Sequence, residues 1–225
     1  MKLTDELVDA IVDKYIKNGD VVSFGTSKMS EQLIKRIAIK LEEKNEKIYI
    51  IPSSLKMASL ASDLGLEIVT LDEKEIDVAI EFVEHADDQF NFVKIDASSL
   101  IKDKMIGQSA AELIVICEHD KFEKRLKVIP FEVASFGWKR TEIQLGALGN
   151  AKLRKHDGKV FKTETGNYFI DVELDDVYSL EDIDYATKEI PGVIETGLFI
   201  GYADRILLHN GKEIVVKSRL DYSKQ

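Results

Sequence analysis

Between Ile76 and Lys121 the chain sets acids and lysines at the ends of apolar runs, the residue types needed to move protons and to hold an anion. Ile76-Asp-Val-Ala-Ile-Glu81-Phe-Val-Glu84 leads into a polar bend, His85-Ala-Asp-Asp-Gln89, and then into Phe90-Asn-Phe-Val-Lys94-Ile-Asp-Ala-Ser98. A helical stretch carrying Lys102-Asp103-Lys104 follows, and then Glu112-Leu-Ile-Val-Ile-Cys-Glu118-His-Asp-Lys121. A carboxylate can take a proton from carbon, and an ammonium beside it can stabilise the oxyanion that forms. Glu81, at the end of an apolar run, has few structural reasons to be acidic, whereas Lys102-Asp103-Lys104 also fits the solvated face of a helix. Lys121 also fits simple pairing with Glu118 or Asp120, and His85 is expected on the surface.

Such residues need a scaffold, and apolar strands ending in ionisable groups are how an open α/β sheet presents chemistry at its carboxyl edge. The first half of the chain supplies that alternation. Strand-like runs at Val21–Phe24, 47–51, 67–71, 76–82 and 113–117 are separated by amphipathic stretches at about 30–43, 55–64 and 98–111. Ser30 is the expected start of the first of those helices. After Pro130 the order changes to strand 131–133, helix 135–148, strands 151–155 and 167–174, helix 180–190 and strand 193–200, the βαββαβ order of a ferredoxin-like unit. Asn210-Gly211, between two apolar runs, predicts a hairpin with a type I′ turn that rejoins the first sheet. The expected class is therefore α/β: a Rossmann-like parallel-sheet domain, residues 1–129 and 203–225, with an inserted ferredoxin-like α+β domain, residues 130–202.

Composition narrows the function. The chain has 225 residues, 44% of them hydrophobic, enough for a substantial core. Its 41 acids against 31 bases give a net charge of −10, which opposes nucleic acid and anionic membranes as partners. No apolar run approaches the roughly 20 residues of a membrane span, and Met1 to Glu6 lacks a signal-peptide pattern, so a cytoplasmic protein is expected. The single cysteine, Cys117, sits inside an apolar run and is expected to be buried and inert; the four histidines lack metal-site spacing, so no metal is expected.

In order and residues the chain resembles the ribose-5-phosphate isomerase type A family over nearly its whole length. The resemblance rests on Gly25-Thr26, Pro52-Ser-Ser54, Glu81 to Glu84, Lys94, Leu100-x-x-Asp103-Lys104, Lys121, Pro130-Phe-Glu-Val133, Gly166-Asn167, Ile190-Pro-Gly-Val193 and Gly197-Leu-Phe199. The site motifs depart from the family. Its Gly-x-Gly-Thr-Gly-Ser-Thr stands here as Ser23-Phe-Gly-Thr-Ser-Lys-Met29, its Asp-Gly-Ala-Asp-Glu as Glu81-Phe-Val-Glu-His85, and its Lys-Gly-Gly-Gly as Lys94-Ile-Asp-Ala97. The family's base glutamate becomes Asp103, and its Asp-Asn-Gly-Asn becomes Glu164-Thr-Gly-Asn167.

The resemblance implies a cofactor-free aldose–ketose isomerase acting on a phosphorylated pentose, in a homodimer or homotetramer. By position Asp103 would be the base, Lys94 the charge stabiliser, Glu81 an acid for ring opening, and Thr26, Ser27, Lys28, Met29, Glu84 and Lys121 substrate ligands. Lys28 would replace phosphate attraction lost with the loop glycines. Two other readings share the scaffold: a sugar-phosphate-binding protein without activity, and an isomerase of another phosphorylated sugar.

Overall fold

The computed structural model describes residues 4–122, 126–175 and 179–220. In chain order the first elements are α1 (Asp5–Tyr15), β1 (Val21–Phe24), α2 (Lys28–Lys44), β2 (Tyr49–Ile50), α3 (Leu55–Asp63), β3 (Glu67–Ile68) and β4 (Ile76–Val83). A short hairpin, β5 (His85–Ala86) and β6 (Phe92–Val93), precedes α4 (Leu100–Ser109) and β7 (Ala110–Glu118). The second group is β8 (Val128–Val133), α5 (Trp138–Leu145), β9 (Gly149–Leu153), the ribbon β10 (Lys155–His156) and β11 (Lys159–Val160), β12 (Tyr168–Leu174), α6 (Leu180–Lys188) and β13 (Val193–Thr196). The chain returns through β14 (Leu198–Phe199), β15 (Arg205–His209) and β16 (Ile214–Ser218).

The main sheet has seven strands in the order β16-β15-β7-β4-β1-β2-β3, parallel except where β16 pairs β15. Its central strands β4 and β7 are apolar almost throughout because both faces are covered, as parallel sheets require. One face packs Val22, Phe24, Ile80, Ile114 and Ile116 against α1, α2 and α3; the other packs Ala79, Val115 and Cys117 towards Ile106 of α4 and Phe199. Helix α1 was not foreseen from the sequence. Its start is set by Thr4, whose hydroxyl accepts from the Leu7 amide, and by Asp5 and Glu6 in the first turn.

The second sheet, β13-β8-β12-β9, is antiparallel throughout. The four strands of the expected βαββαβ unit, β8, β9, β12 and β13, thus lie side by side in the order four-one-three-two, with α5 and α6 closing a core of Ile129, Phe131, Leu145, Ile170 and Ile183. The fold class is as expected. A three-stranded sheet, β14-β6-β5, joins the two larger ones, and its Val93 and Leu198 enter the second core.

Several local expectations are corrected. Helix α2 starts at Lys28 with Ser27 as its cap; Ser30 lies inside the first turn and donates its amide to Ser27 Oγ. Helix α5 is shorter than residues 135–148, running only from Trp138 to Leu145, and Gly149 opens β9. The run 193–200 breaks at Gly197 into strands of two different sheets. At the tail hairpin Asn210 does not adopt the positive φ of a type I′ turn; its side chain accepts from the Lys212 and Glu213 amides in a four-residue loop between His209 and Ile214. His85 is buried in the small hairpin, not on the surface.

The break at Gly197 has a steric cause. Its amide donates to Pro130 O at 2.8 Å and its carbonyl accepts from the Lys94 amide at 3.0 Å, so two backbones meet there. A Cβ would lie 2.6 Å from Pro130 Cγ and 2.8 Å from Lys94 O. Gly197→Ala is expected to destabilise the protein by about 1–3 kcal/mol, the usual cost of overpacking, as read by urea unfolding; an unchanged midpoint would show that the backbones can separate freely.

Candidate active site

The site grows from the carboxyl ends of β1 and β4. After β1 the Gly25 amide donates to Ile80 O at 3.0 Å, which brings the loop against β4 beside Glu81, two residues before that strand ends. A Cβ on Gly25 would fall 1.8 Å from Glu81 Oε2, so only glycine leaves room for that carboxylate. The following residue, Thr26, is braced by hydroxyls: its Oγ1 donates to Ser54 Oγ at 2.7 Å and lies 3.1 Å from Ser53 Oγ, which donates to Phe24 O. Ser27 then caps α2, and its Oγ lies 2.9 Å from Ser30 Oγ.

At the centre stands Lys94, just beyond β6. Its Nζ donates to Glu81 Oε2 at 2.7 Å and lies 2.8 Å from Asp103 Oδ2, off the direction of a good hydrogen bond. All three residues are at most 3% exposed. Asp103 Oδ1 is buried and has no hydrogen-bond partner among the described residues, which leaves a carboxylate lone pair unengaged. Burial pushes the Glu81 carboxyl up from 4.5 to about 7; Lys94 pulls it down and the Asp103 charge raises it. Asp103 is likewise raised by burial against the pull of Lys94. Burial draws Lys94 downwards, but Asp103 and Glu81 outweigh it and hold the ammonium well above its ordinary range.

Structure thus brings Glu81, Lys94 and Asp103 into one ionic cluster from three elements. Asp103 is no solvated helix residue: it faces the sheet while Lys102 points to the surface side, where it pairs with Glu164. The neighbouring Lys104 serves elsewhere, its Nζ 2.7 Å from Glu195 Oε1 and 3.7 Å from Asp184 Oδ1 as it ties α4 to β13 and α6.

The remaining predicted ligands are placed less uniformly. Lys28 is exposed on the first turn of α2, while the Met29 side chain packs on the core and leaves only its backbone for a ligand. Glu84 accepts from the Ile95 amide at 3.0 Å, and burial raises its carboxyl despite that bond. With His85, Ile95 and Lys121 it lines a shallow cavity of about 250 Å³, where Lys121 also sits 3.6 Å from Glu118. Sequence reasoning missed the roles of Ser53, Ser54 and Glu132; the Pro52-Ser-Ser and Pro130-Phe-Glu-Val motifs were the available signal. Among the described residues no three His, Cys, Asp or Glu side chains converge as a metal site, and no helix is long and apolar enough to cross a membrane.

Residues 49–213 match the family profile described as Ribose 5-phosphate isomerase A (phosphoriboisomerase A). The chain belongs to the ribose 5-phosphate isomerase A family. Ribose-5-phosphate isomerase A 2 of Oceanobacillus iheyensis is 32% identical over 90% of this chain and 92% of its own, and the human ribose-5-phosphate isomerase is 28% identical over 88% and 67%. A solved D-ribose-5-phosphate isomerase in complex with phospho-erythronic acid superposes with a TM-score of 0.86 at 27% identity, covering 96% of this chain and 97% of that one. The Plasmodium falciparum ribose 5-phosphate isomerase superposes with a TM-score of 0.88 over 96% and 97%; at 22% identity it supports the fold.

In this candidate site of a ribose 5-phosphate isomerase A family member a pH dependence follows from Glu81. A carboxyl raised in the folded state binds more protons there than in the unfolded chain. The stability it contributes is complete below about pH 4.5 and is lost as pH rises through about 7. One proton corresponds to at most about 1.4 kcal/mol per pH unit. Glu81→Gln is therefore expected to flatten the decline in unfolding free energy between those pH values, followed by urea titration. Parallel curves for both proteins would show that Glu81 titrates as it does when unfolded.

Proposed function

We propose that the protein interconverts D-ribose 5-phosphate and D-ribulose 5-phosphate by proton transfer through an enediolate. The observation that carries this is the Lys94 ammonium held between two carboxyl groups, Glu81 and Asp103, on the scaffold of this family. The named activity of the relatives and the phospho-erythronic acid complex of one of them support the same reading.

Asp103 is the base. Its unengaged oxygen takes the proton from the carbon next to the carbonyl, the C–H pair becomes the carbon–carbon double bond, and the carbonyl oxygen takes up negative charge. Lys94 stabilises that charge. Glu81, with a carboxyl near neutrality, carries the proton from one substrate oxygen to the other, and Asp103 returns its proton to the adjacent carbon, so nothing is gained or lost overall. The shortened base does not lose contact with its partner, since Asp103 reaches Lys94 while the longer Glu81 reaches it from the opposite element. Thr26, Ser27, Lys28 and the amino end of α2 take the phosphate, and Glu84 and Lys121 the far hydroxyls.

Residues 1–129 with 203–225 form the catalytic unit and 130–202 the inserted one; residues 1–3, 123–125, 176–178 and 221–225 lie outside those described. The chain acts in the cytoplasm on a small sugar phosphate, as a homodimer or homotetramer. Phe136, Ile143 and Tyr185 of the inserted unit, all largely exposed, support an apolar contact there.

In a coupled assay with ribose 5-phosphate and excess chelator, turnover is expected. Asp103→Asn should lower kcat by about 100-fold or more with KM little changed, as for a group acting in the proton-transfer step, whereas Lys28→Ala should act mainly on KM. A kcat for Asp103→Asn within a few-fold of wild type would place the base elsewhere, and no turnover in wild type would favour the binding-protein reading. Sedimentation should show a dimer or tetramer that Phe136→Ser combined with Tyr185→Ser dissociates; a monomeric wild type would end the oligomer proposal.

A further inference from the structure

Glu132 lies outside the ionic cluster, on β8 of the second sheet, and its burial is complete. Among the described residues no cation pairs with it. A carboxylate in that position is costly unless donors surround it, and here they do. Oε2 accepts from Ser99 Oγ at 3.1 Å and from the Ile101 amide at 3.2 Å; Oε1 accepts from Thr163 Oγ1 at 2.9 Å, Thr165 Oγ1 at 2.5 Å and Asn167 Nδ2 at 3.0 Å.

Those donors share a destination. Ser99 is the cap of α4, and the Ile101 amide is one that the helix leaves without an internal acceptor. A negative charge at that end also suits the helix dipole. Asp103 lies one turn further, its amide bonded to Ser99 O at 3.2 Å. The 163–167 loop gathered on the other oxygen reinforces the grip: the Glu164 amide donates to Ser98 O at 3.1 Å, and its carboxylate accepts from Lys102 Nζ and from the Leu55 amide that opens α3. One buried carboxylate of the inserted sheet thus fastens the turn from which Asp103 projects.

We propose that Glu132 is a positioning residue: it fixes the first turn of α4 and so aims Asp103 at the substrate carbon. The positioning of α4 stands on the geometry alone, and its catalytic consequence rests on the isomerase reading. An apolar side chain at 132 would take the shared acceptor from five donors, among them the buried hydroxyls of Ser99 and Thr163. Its charge also bears on the base: Asp103 touches Lys94, and Glu81 from β4, the outward Lys102 of its own helix and Glu132 act on it through their charges, that of Glu132 adding to burial in raising it.

The test uses the full chain with Glu132→Gln and Glu132→Asp. Since a misplacement of about 1 Å can cost on the order of 100-fold in rate, Glu132→Gln is expected to lower kcat by about 10- to 100-fold with KM within about 3-fold. It should also move the acidic limb of kcat/KM to lower pH, while Glu132→Asp, which keeps the charge, holds that limb in place. Amide exchange of Ile101 to Lys104 should quicken by about 10-fold or more, with β4 and β7 unchanged. Unchanged exchange in α4 would overturn the proposal whether or not the chain turns over, as would quickening spread through β4 and β7. Faster exchange confined to α4, with kcat at the wild-type level, would overturn the link to Asp103. If wild type itself lacked turnover the isomerase reading would fail, and exchange in α4 would still decide whether Glu132 fixes that turn.

Discussion

A lysine ammonium enclosed between two carboxyl groups is the constraint around which this molecule is arranged. Lys94 could not be buried alone, because taking an ammonium from water costs far more than its hydrocarbon stem returns. Glu81 and Asp103 compensate it, but together they carry one charge too many for an interior site. Burial disfavours that excess and pushes the Glu81 carboxyl up to about 7, out of the ordinary acid range. A group in that range can give and take protons at physiological pH, which is what the proposed reaction asks of Glu81.

Such a cluster demands close approach of chain segments that have no side chains to spare. Gly25 lets the loop after β1 lie against the Glu81 carboxylate, and Gly197 lets the end of β13 lie against the backbone of Lys94. Between them the lysine is held at its backbone and at its tip. The hydroxyls of Thr26, Ser53 and Ser54 knit the loops after β1 and β2 together without adding charge to a site that already has an excess.

The inserted sheet takes part in the same arrangement. Helix α4, which carries the proposed base, belongs to the main fold by sequence but is gripped by the second unit at both ends of its first turns: Glu132 at the amino end and Glu195 and Asp184 on Lys104. Neutral donors satisfy the first grip and a buried ion pair the second, with the Lys104 ammonium also lying over the Phe199 and Tyr202 rings. The two units therefore share one helix, and the geometry of the cluster depends on both.

Much of this was legible in the sequence. Apolar runs of strand length alternating with amphipathic stretches determined a parallel sheet with helices on both faces, and the change of order after Pro130 determined the βαββαβ unit, because local periodicity records which faces are buried. Glu81 was legible as chemistry because an acid at the end of an apolar run is uncommon without a role, whereas Lys94 and Asp103 were singled out by the family resemblance, Lys102-Asp103-Lys104 by itself fitting a solvated helix face. Boundaries were less so: the cap at Ser27, the break at Gly197 and the turn at Asn210 depend on which backbone groups find partners across the fold. Tertiary structure alone decided that Asp103 turns inward while Lys102 turns out, that the short aspartate and the long glutamate meet on one lysine, and that Glu132 reaches the start of α4. These are contacts between residues up to dozens of positions apart, set by the packing of one sheet against another, and no local pattern of apolar and polar residues encodes the distance between two such side chains.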